Sequence, residues 1–262
     1  MNSALTAAWR PFHEIGLPLP NDRQLSHASL NALAKSRRLR SGGDAPIEFV
    51  LQNGKLSAAQ YETQIYHDGR VPTRVDSWHD LYNACCWLRY PKLKAALNRG
   101  HCQDLALSDA PTRSRRRDKL TLLDEVGVVV FGTDLSLLTK LASHQWAQAF
   151  FDCRDLWSTM EVRVVGHGLL EQLATPYLGL TAKALLLCAN DSSADPDNVD
   201  ETVASLVDND LFSGRTGRLS PLPVLGLPGW WPPNETRDFY LDQSYFRPLR
   251  DDSVVASRVL TL

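Results

Sequence analysis

The apolar residues of this chain come in short runs, such as 128–131 (VVVF) and 184–187 (ALLL), each bounded by polar residues or glycine within a few positions. A membrane span needs roughly 18 consecutive apolar residues, so no crossing is predicted and the apolar side chains must meet in a folded core. With 262 residues the chain suits one full-size domain, or one domain with a small appendage. A hydrophobic fraction of 44% and a charged fraction of 22% exclude disordered, collagen-like and membrane classes. A net charge of -2 argues against a globally basic nucleic-acid binder and leaves room only for a local basic patch. The opening residues MNSALTAAWRPFHE lack the basic start and long apolar core of a secretory leader. Five cysteines without a framework spacing read as reduced thiols, which implies a cytoplasmic protein with no membrane partner.

Local signals predict the elements. Asn21 and Asp22 can cap a helix running towards Arg40, and residues 47–51 read as a strand. Alternation over 61–66, the Asp68-Gly69 pair and residues 71–75 read as a β-hairpin. Ser77 caps a helix with Leu81, Ala84, Cys85 and Leu88 on its apolar face, and Pro91 ends it and opens the next. A polar, basic loop follows over 108–119, then a second hairpin turning near 124–127. Asp134 caps a helix to about Phe151, residues 160–165 alternate as a strand, and a short helix runs from Gly166 to before Pro176. LTAKALLLC reads as a buried helix, and Val199, Val203, Leu206 and Val207 as the face of an amphipathic one after an acidic loop. Nine of the 21 residues from 213 to 233 are Gly or Pro, yet Leu222, Val224, Leu225, Leu227, Trp230 and Trp231 are too apolar to stay solvated. An ordered, irregular segment is predicted there, with a terminal strand after it. The sum is an α+β fold: one helix-rich domain over 1–262, two antiparallel hairpins, and residues 1–45 as a helical N-terminal extension.

The common phosphate loop, nucleophile elbow, zinc helix and CxxC pair are absent from the sequence. Gly166-His167-Gly168 follows a strand and opens a helix, but Glu171 stands where a dinucleotide fingerprint has its third glycine. The adjacent Cys85 and Cys86 sit on an apolar helical face and read as core.

Five blocks carry a family likeness: WHDLYNACCWLRYPKLKAALN (78–98), RRRDKLTLLDEVG (115–127), GHGLLEQLATPYLGLTAK (166–183), PLPVLGLPGWW (221–231) and FYLDQSYFRPLR (239–250). In order and spacing they resemble a bacterial family known as domain of unknown function 3025. The resemblance spans the chain from about residue 60 onward. It implies one bacterial soluble domain and assigns no chemistry. Family members usually carry Ala where Gly168 stands here.

Within these blocks some polar residues have the spacing of a site. His167 and Glu171 are four apart at a helix start, as are His79 and Asn83. Together the four make a mixed nitrogen and oxygen set for a divalent metal, zinc or magnesium, which could activate water. His79, Asp80, Asp118 and Glu125 are the candidates for catalytic proton transfer. Arg115, Arg116 and Arg117, beside Arg113 and Lys119, could hold phosphates, with Trp230 and Lys183 as further substrate contacts. The function these residues point to is a metal-dependent hydrolase acting on a phosphoester, in a small molecule or a nucleic acid. The alternative is a binding or scaffolding protein whose polar blocks are buried hydrogen-bond networks. The sharpest expectation is that His79, His167 and Glu171 converge, with Asn83 close by.

Overall fold

The computed structural model describes residues 3–18, 25–107, 114–189, 198–209, 211–212, 219–249 and 258–262. It is a mixed helix and strand fold that divides into two compact units. Unit 1 comprises Met1–Arg10, Glu125–Asn198 and Gly214–Leu262; unit 2 comprises Pro11–Asp124 and Val199–Ser213. The described residues of 1–45 carry two helices, α1 (Ser3–His13) and α2 (His27–Ser36). Ser26 caps α2, its side chain accepting from the Ser29 N–H, and the cap predicted at Asn21 and Asp22 lies outside the described residues.

In unit 2, β1 (Glu48–Leu51) and β2 (Arg70–Thr73) pair in parallel, with Glu48 opposite Arg70. Parallel neighbours cannot be joined by a tight turn and need a crossover, which α3 (Ala58–Asp68) supplies. The hairpin predicted over 61–75 is therefore not formed. Ser57 and Gln60 close a capping box that starts α3, and Gly69, at φ 70, ends it in the left-handed conformation. Asp68-Gly69 is a helix stop and not a strand turn. Helix α4 (Trp78–Arg89) starts at Ser77, and Pro91 opens α5 (Pro91–Leu107), as the sequence predicts. Residues 93–98 of α5 are all buried. One side packs on α9 (Val199–Asp208), which buries Val199, Val203 and Val207. The Asp200 carboxylate of α9 accepts the N–H groups of Lys92 and Leu93 at 3.1 and 2.8 Å, capping the first turn of α5. Helix α6 (Arg115–Val126) stands where a basic loop and then a hairpin were expected. The other residues of that loop, 108–113 with Arg113, lie outside the described residues.

Unit 1 holds a mixed sheet in the order β4-β3-β5-β6, with β7 also beside β5. Strand β3 (Gly127–Gly132) runs antiparallel to β4 (Met160–Val164) and parallel to β5 (Thr181–Cys188). Strand β6 (Ser220–Pro223) pairs with the first half of β5, and β7 (Val259–Thr261) with its end. LTAKALLLC is thus a central strand and not the helix predicted. A strand covered on both faces is continuously apolar, and a short run of that kind looks the same in a buried helix. Helix α7 (Leu135–Ala142) is capped by Asp134 and packs on β5 and β7. The helix predicted to reach Phe151 breaks at His144, which takes φ 57, and resumes as a π turn over Gln148–Asp152. Helix α8 (His167–Ala174) follows β4.

Residues 219–233 hold β6 and short 3-10 turns, with Leu222, Val224, Leu225, Leu227 and Trp230 buried. Side chains serve as partners for backbone that no ladder satisfies. Asn234 donates to the Leu225 and Leu227 carbonyls at 2.8 and 2.7 Å. The Tyr245 hydroxyl accepts from the Leu225 N–H at 3.0 Å and donates to the Leu180 carbonyl at 2.7 Å. The remaining parts of the predicted acidic loop, Gly/Pro segment and tail, at 190–197, 213–218 and 250–257, lie outside the described residues. No helix among the described residues is long and apolar enough to cross a membrane.

Candidate functional site

In unit 1 the turn between β4 and α8 lies against the junction of α6 and β3. The N–H groups of Val165 and Gly166 both donate to the Gly127 carbonyl, at 3.1 and 3.0 Å. A Cβ on Gly166 would stand 2.3 Å from the Gly127 nitrogen and 2.6 Å from the Glu125 carbonyl oxygen, so only glycine permits this approach. A Cβ on Gly168 would stand 2.7 Å from Glu125 Oε2. The Gly-His-Gly spacing therefore serves a close backbone crossing. A methyl group at position 168 would have the flexible end of the Glu125 side chain shift.

That carboxylate lies over the first turn of α8, with Oε2 at 3.6 Å from His167 Nε2. His167 is buried, while the Glu125 side chain keeps 41% of its surface exposed. The carboxylate gains from the positive end of α8. At its own position it does not, because Asp124 and Glu125 stand in the last turn of α6, and Arg115, Arg116 and Arg117 in the first. Glu171 lies one turn beyond His167 on α8 and is half-buried. Of the substrate contacts expected in this unit, Trp230 is buried beside a cavity of about 320 Å³ that also holds the Arg10–Glu161 ion pair. Lys183 lies on β5 at a second cavity.

In unit 2, Ser77 Oγ accepts the Asp80 N–H at 3.2 Å and opens α4. The Asp80 carboxylate takes the Arg74 backbone N–H at 2.7 Å, its Nε at 2.9 Å and its Nη2 at 2.8 Å. Burial alone would raise its carboxyl, but the Arg74 bonds outweigh it and hold the group below its usual range. A carboxylate so held is a poor base. His79 is half-buried on the first turn, and Asn83 follows one turn on. Asn83 donates to the Tyr61 hydroxyl and accepts from Lys94 Nζ, both at 2.8 Å. Lys94 Nζ also reaches Asp124 Oδ1 at 2.5 Å and lies 5.5 Å from the Trp87 ring centre.

Beside this chain of bonds, Asn98 donates to Glu62 Oε2 at 2.8 Å. Desolvation pushes the Glu62 carboxyl up to about 7, with the Asp124 charge adding to it. Desolvation, then the charges of Glu62 and Asp124, hold the Tyr61 hydroxyl well above its usual value. Displaced titratable groups gathered in one place are a mark of functional sites. Of the arginine run, Arg115 is exposed, Arg116 donates to the Gly100 carbonyl at 2.9 Å, and the Arg117 charge acts on Glu62. Asp118 is exposed on the first turn of α6.

Sequence reasoning named His79, Asn83, Glu125 and His167 but missed Tyr61, Glu62, Lys94 and Asn98. Reading 61–66 as a strand hid the first two. Lys94, flanked by Leu93, Ala95 and Ala96, is the signal that was legible: a charge in an otherwise apolar stretch must find a buried partner. A family profile described as Protein of unknown function (DUF3025) matches residues 47–250, most of the chain. No curated protein and no solved structure matches. The span of that match makes this chain a member of the DUF3025 family.

Proposed function

We propose that the protein is a metal-dependent hydrolase of phosphoesters and that Glu125 and His167 hold its ion. The observation that carries the reading is the Glu125 carboxylate facing His167 Nε2 at 3.6 Å, half open to solvent. An imidazole and a carboxylate facing each other are donors suited to zinc and related divalent ions. Asn83 is left out of the set, because its Oδ1 accepts from the Lys94 ammonium and a metal there would face that charge. Relative to the expectation from spacing, Glu125 takes the place of Glu171 as ligand, and Glu171 is left for proton transfer. A divalent ion so held would act as a Lewis acid and bring the pKa of bound water towards about 7. Arg115 is the exposed cation that favours an anionic phosphoester substrate.

Hydrolysis of bis(p-nitrophenyl) phosphate by the full chain tests this, first after chelation and then with zinc, manganese or magnesium restored. Turnover should return with metal and fall by about a hundredfold or more in His167→Ala. Absence of metal-dependent turnover would count against the hydrolase. A second reading, a binding or scaffolding protein, is favoured by the closed Tyr61–Asn83–Lys94–Asp124 chain of hydrogen bonds, which also suits a structural network.

A further inference from the structure

Strands β5 and β6 of unit 1 expose one face of their pairing to a second cavity, of about 750 Å³. Side chains two apart on a strand share a face. Thr181 and Lys183 accordingly point to the cavity with their cross-strand partners Pro223 and Pro221. Ala182, Ala184 and Leu222 between them are buried. The two prolines sit on the outer strand, where a missing N–H costs no ladder bond, and give the floor a rigid apolar surface.

The walls are cationic. Lys183, Arg247 and Arg258 line the cavity, and no carboxylate does so among the described residues. Arg247 is fixed at its backbone, where its carbonyl accepts from Trp146 Nε1 at 2.8 Å. Its Nε donates to the Ser244 carbonyl at 3.1 Å, which orients the guanidinium. Arg258 Nη1 donates to the Ala142 carbonyl and contacts His144 Nε2, each at 2.9 Å. Desolvation, then the Arg258 charge, push the His144 ring towards its neutral form.

We infer that this cavity binds a small organic phosphate monoester carrying a flat ring, with Lys183, Arg247 and Arg258 taking the phosphate and Pro221, Pro223 and Tyr245 receiving the ring. Three cations, with no carboxylate facing them among the described residues, suit a dianion better than a monoanion. The volume is that of a small-molecule site. The site is independent of the proposed metal ligands.

The test is calorimetric titration of the full chain with adenosine 5′-monophosphate and phenyl phosphate, with adenosine, inorganic phosphate and a short single-stranded oligonucleotide as comparisons. At least one of the two monoesters should bind, and adenosine should not. Affinity should fall about tenfold or more in Lys183→Ala and in Arg247→Ala, while thermal melting stays unchanged. Arg247→Lys, which keeps the charge but not the fork, should give an intermediate loss. Binding of neither monoester, equal binding by the alanine variants, or inorganic phosphate binding as tightly as both monoesters would each overturn the inference. Tighter binding of the oligonucleotide would assign the cavity to nucleic acid and overturn it as well.

Discussion

Lys94 shows how one residue can govern its surroundings. A buried ammonium must be matched, and Asn83, Asp124 and the Trp87 ring together match it. Glu62 is the less settled member of the same neighbourhood. An unfolded glutamate ionises near ~4.3, whereas in the fold Glu62 does so at about 7. The folded state therefore holds the proton more tightly. The stabilisation from this group is complete below the unfolded value and is lost as pH rises through about 7. The shift corresponds to no more than about 4 kcal/mol. Glu62→Gln keeps an acceptor for Asn98 and removes the ionisation. Its melting temperature should exceed that of the native chain at about pH 8 and vary less between about pH 5 and 8; parallel melting curves would refute the assignment. At this scale the site was half legible. Spacing of four along a helix pointed to Glu171 as the partner of His167, because local periodicity is all that a sequence displays directly. Glu125 reaches His167 only through the close crossing at Gly166 and Gly168, a contact between residues some 40 apart that no local pattern encodes.

Elements with a boundary signal of their own were readable, and elements chosen by a distant partner were not. Ser77, Pro91 and Asp134 mark helix ends through their own bonding or ring geometry, and α4, α5 and α7 start where they stand. The alternation of 160–164 gives β4. Strand β5 carries no such mark, because its apolar run is set by β3 on one side and by β6 and β7 on the other. Helix α3 was hidden because Asp68-Gly69 suits a hairpin and a helix stop alike, and the parallel pairing of β1 and β2 decides between them. The segment after residue 219 depends on side chains instead of a ladder. Asn234 is fully buried and holds two carbonyls of the 3-10 turn region. Asn234→Ala strands both, so a loss of about 2–4 kcal/mol is expected in chemical unfolding, with faster proteolysis inside 219–233. An unchanged midpoint would show that apolar burial alone orders this segment.

At the scale of the whole molecule, the chain builds each unit from separated stretches. Unit 2 receives α9 only after most of unit 1 has been traversed, and α9 brings Val199, Val203, Val207 and the Asp200 cap of α5. A fragment of residues 11–124 alone lacks that layer and should show no cooperative thermal transition; a sharp two-state melt would contradict this dependence. The proposed activity rests on the ion assigned to Glu125 and His167. Its most direct test is the metal content of the purified full chain by mass spectrometry, after incubation with zinc or manganese and removal of excess. The account predicts about one ion per chain, retained by Asn83→Asp and lost in Glu125→Gln and His167→Ala with their folds intact by circular dichroism. No bound ion in the native chain, or an undiminished ion in the folded His167→Ala variant, would contradict it.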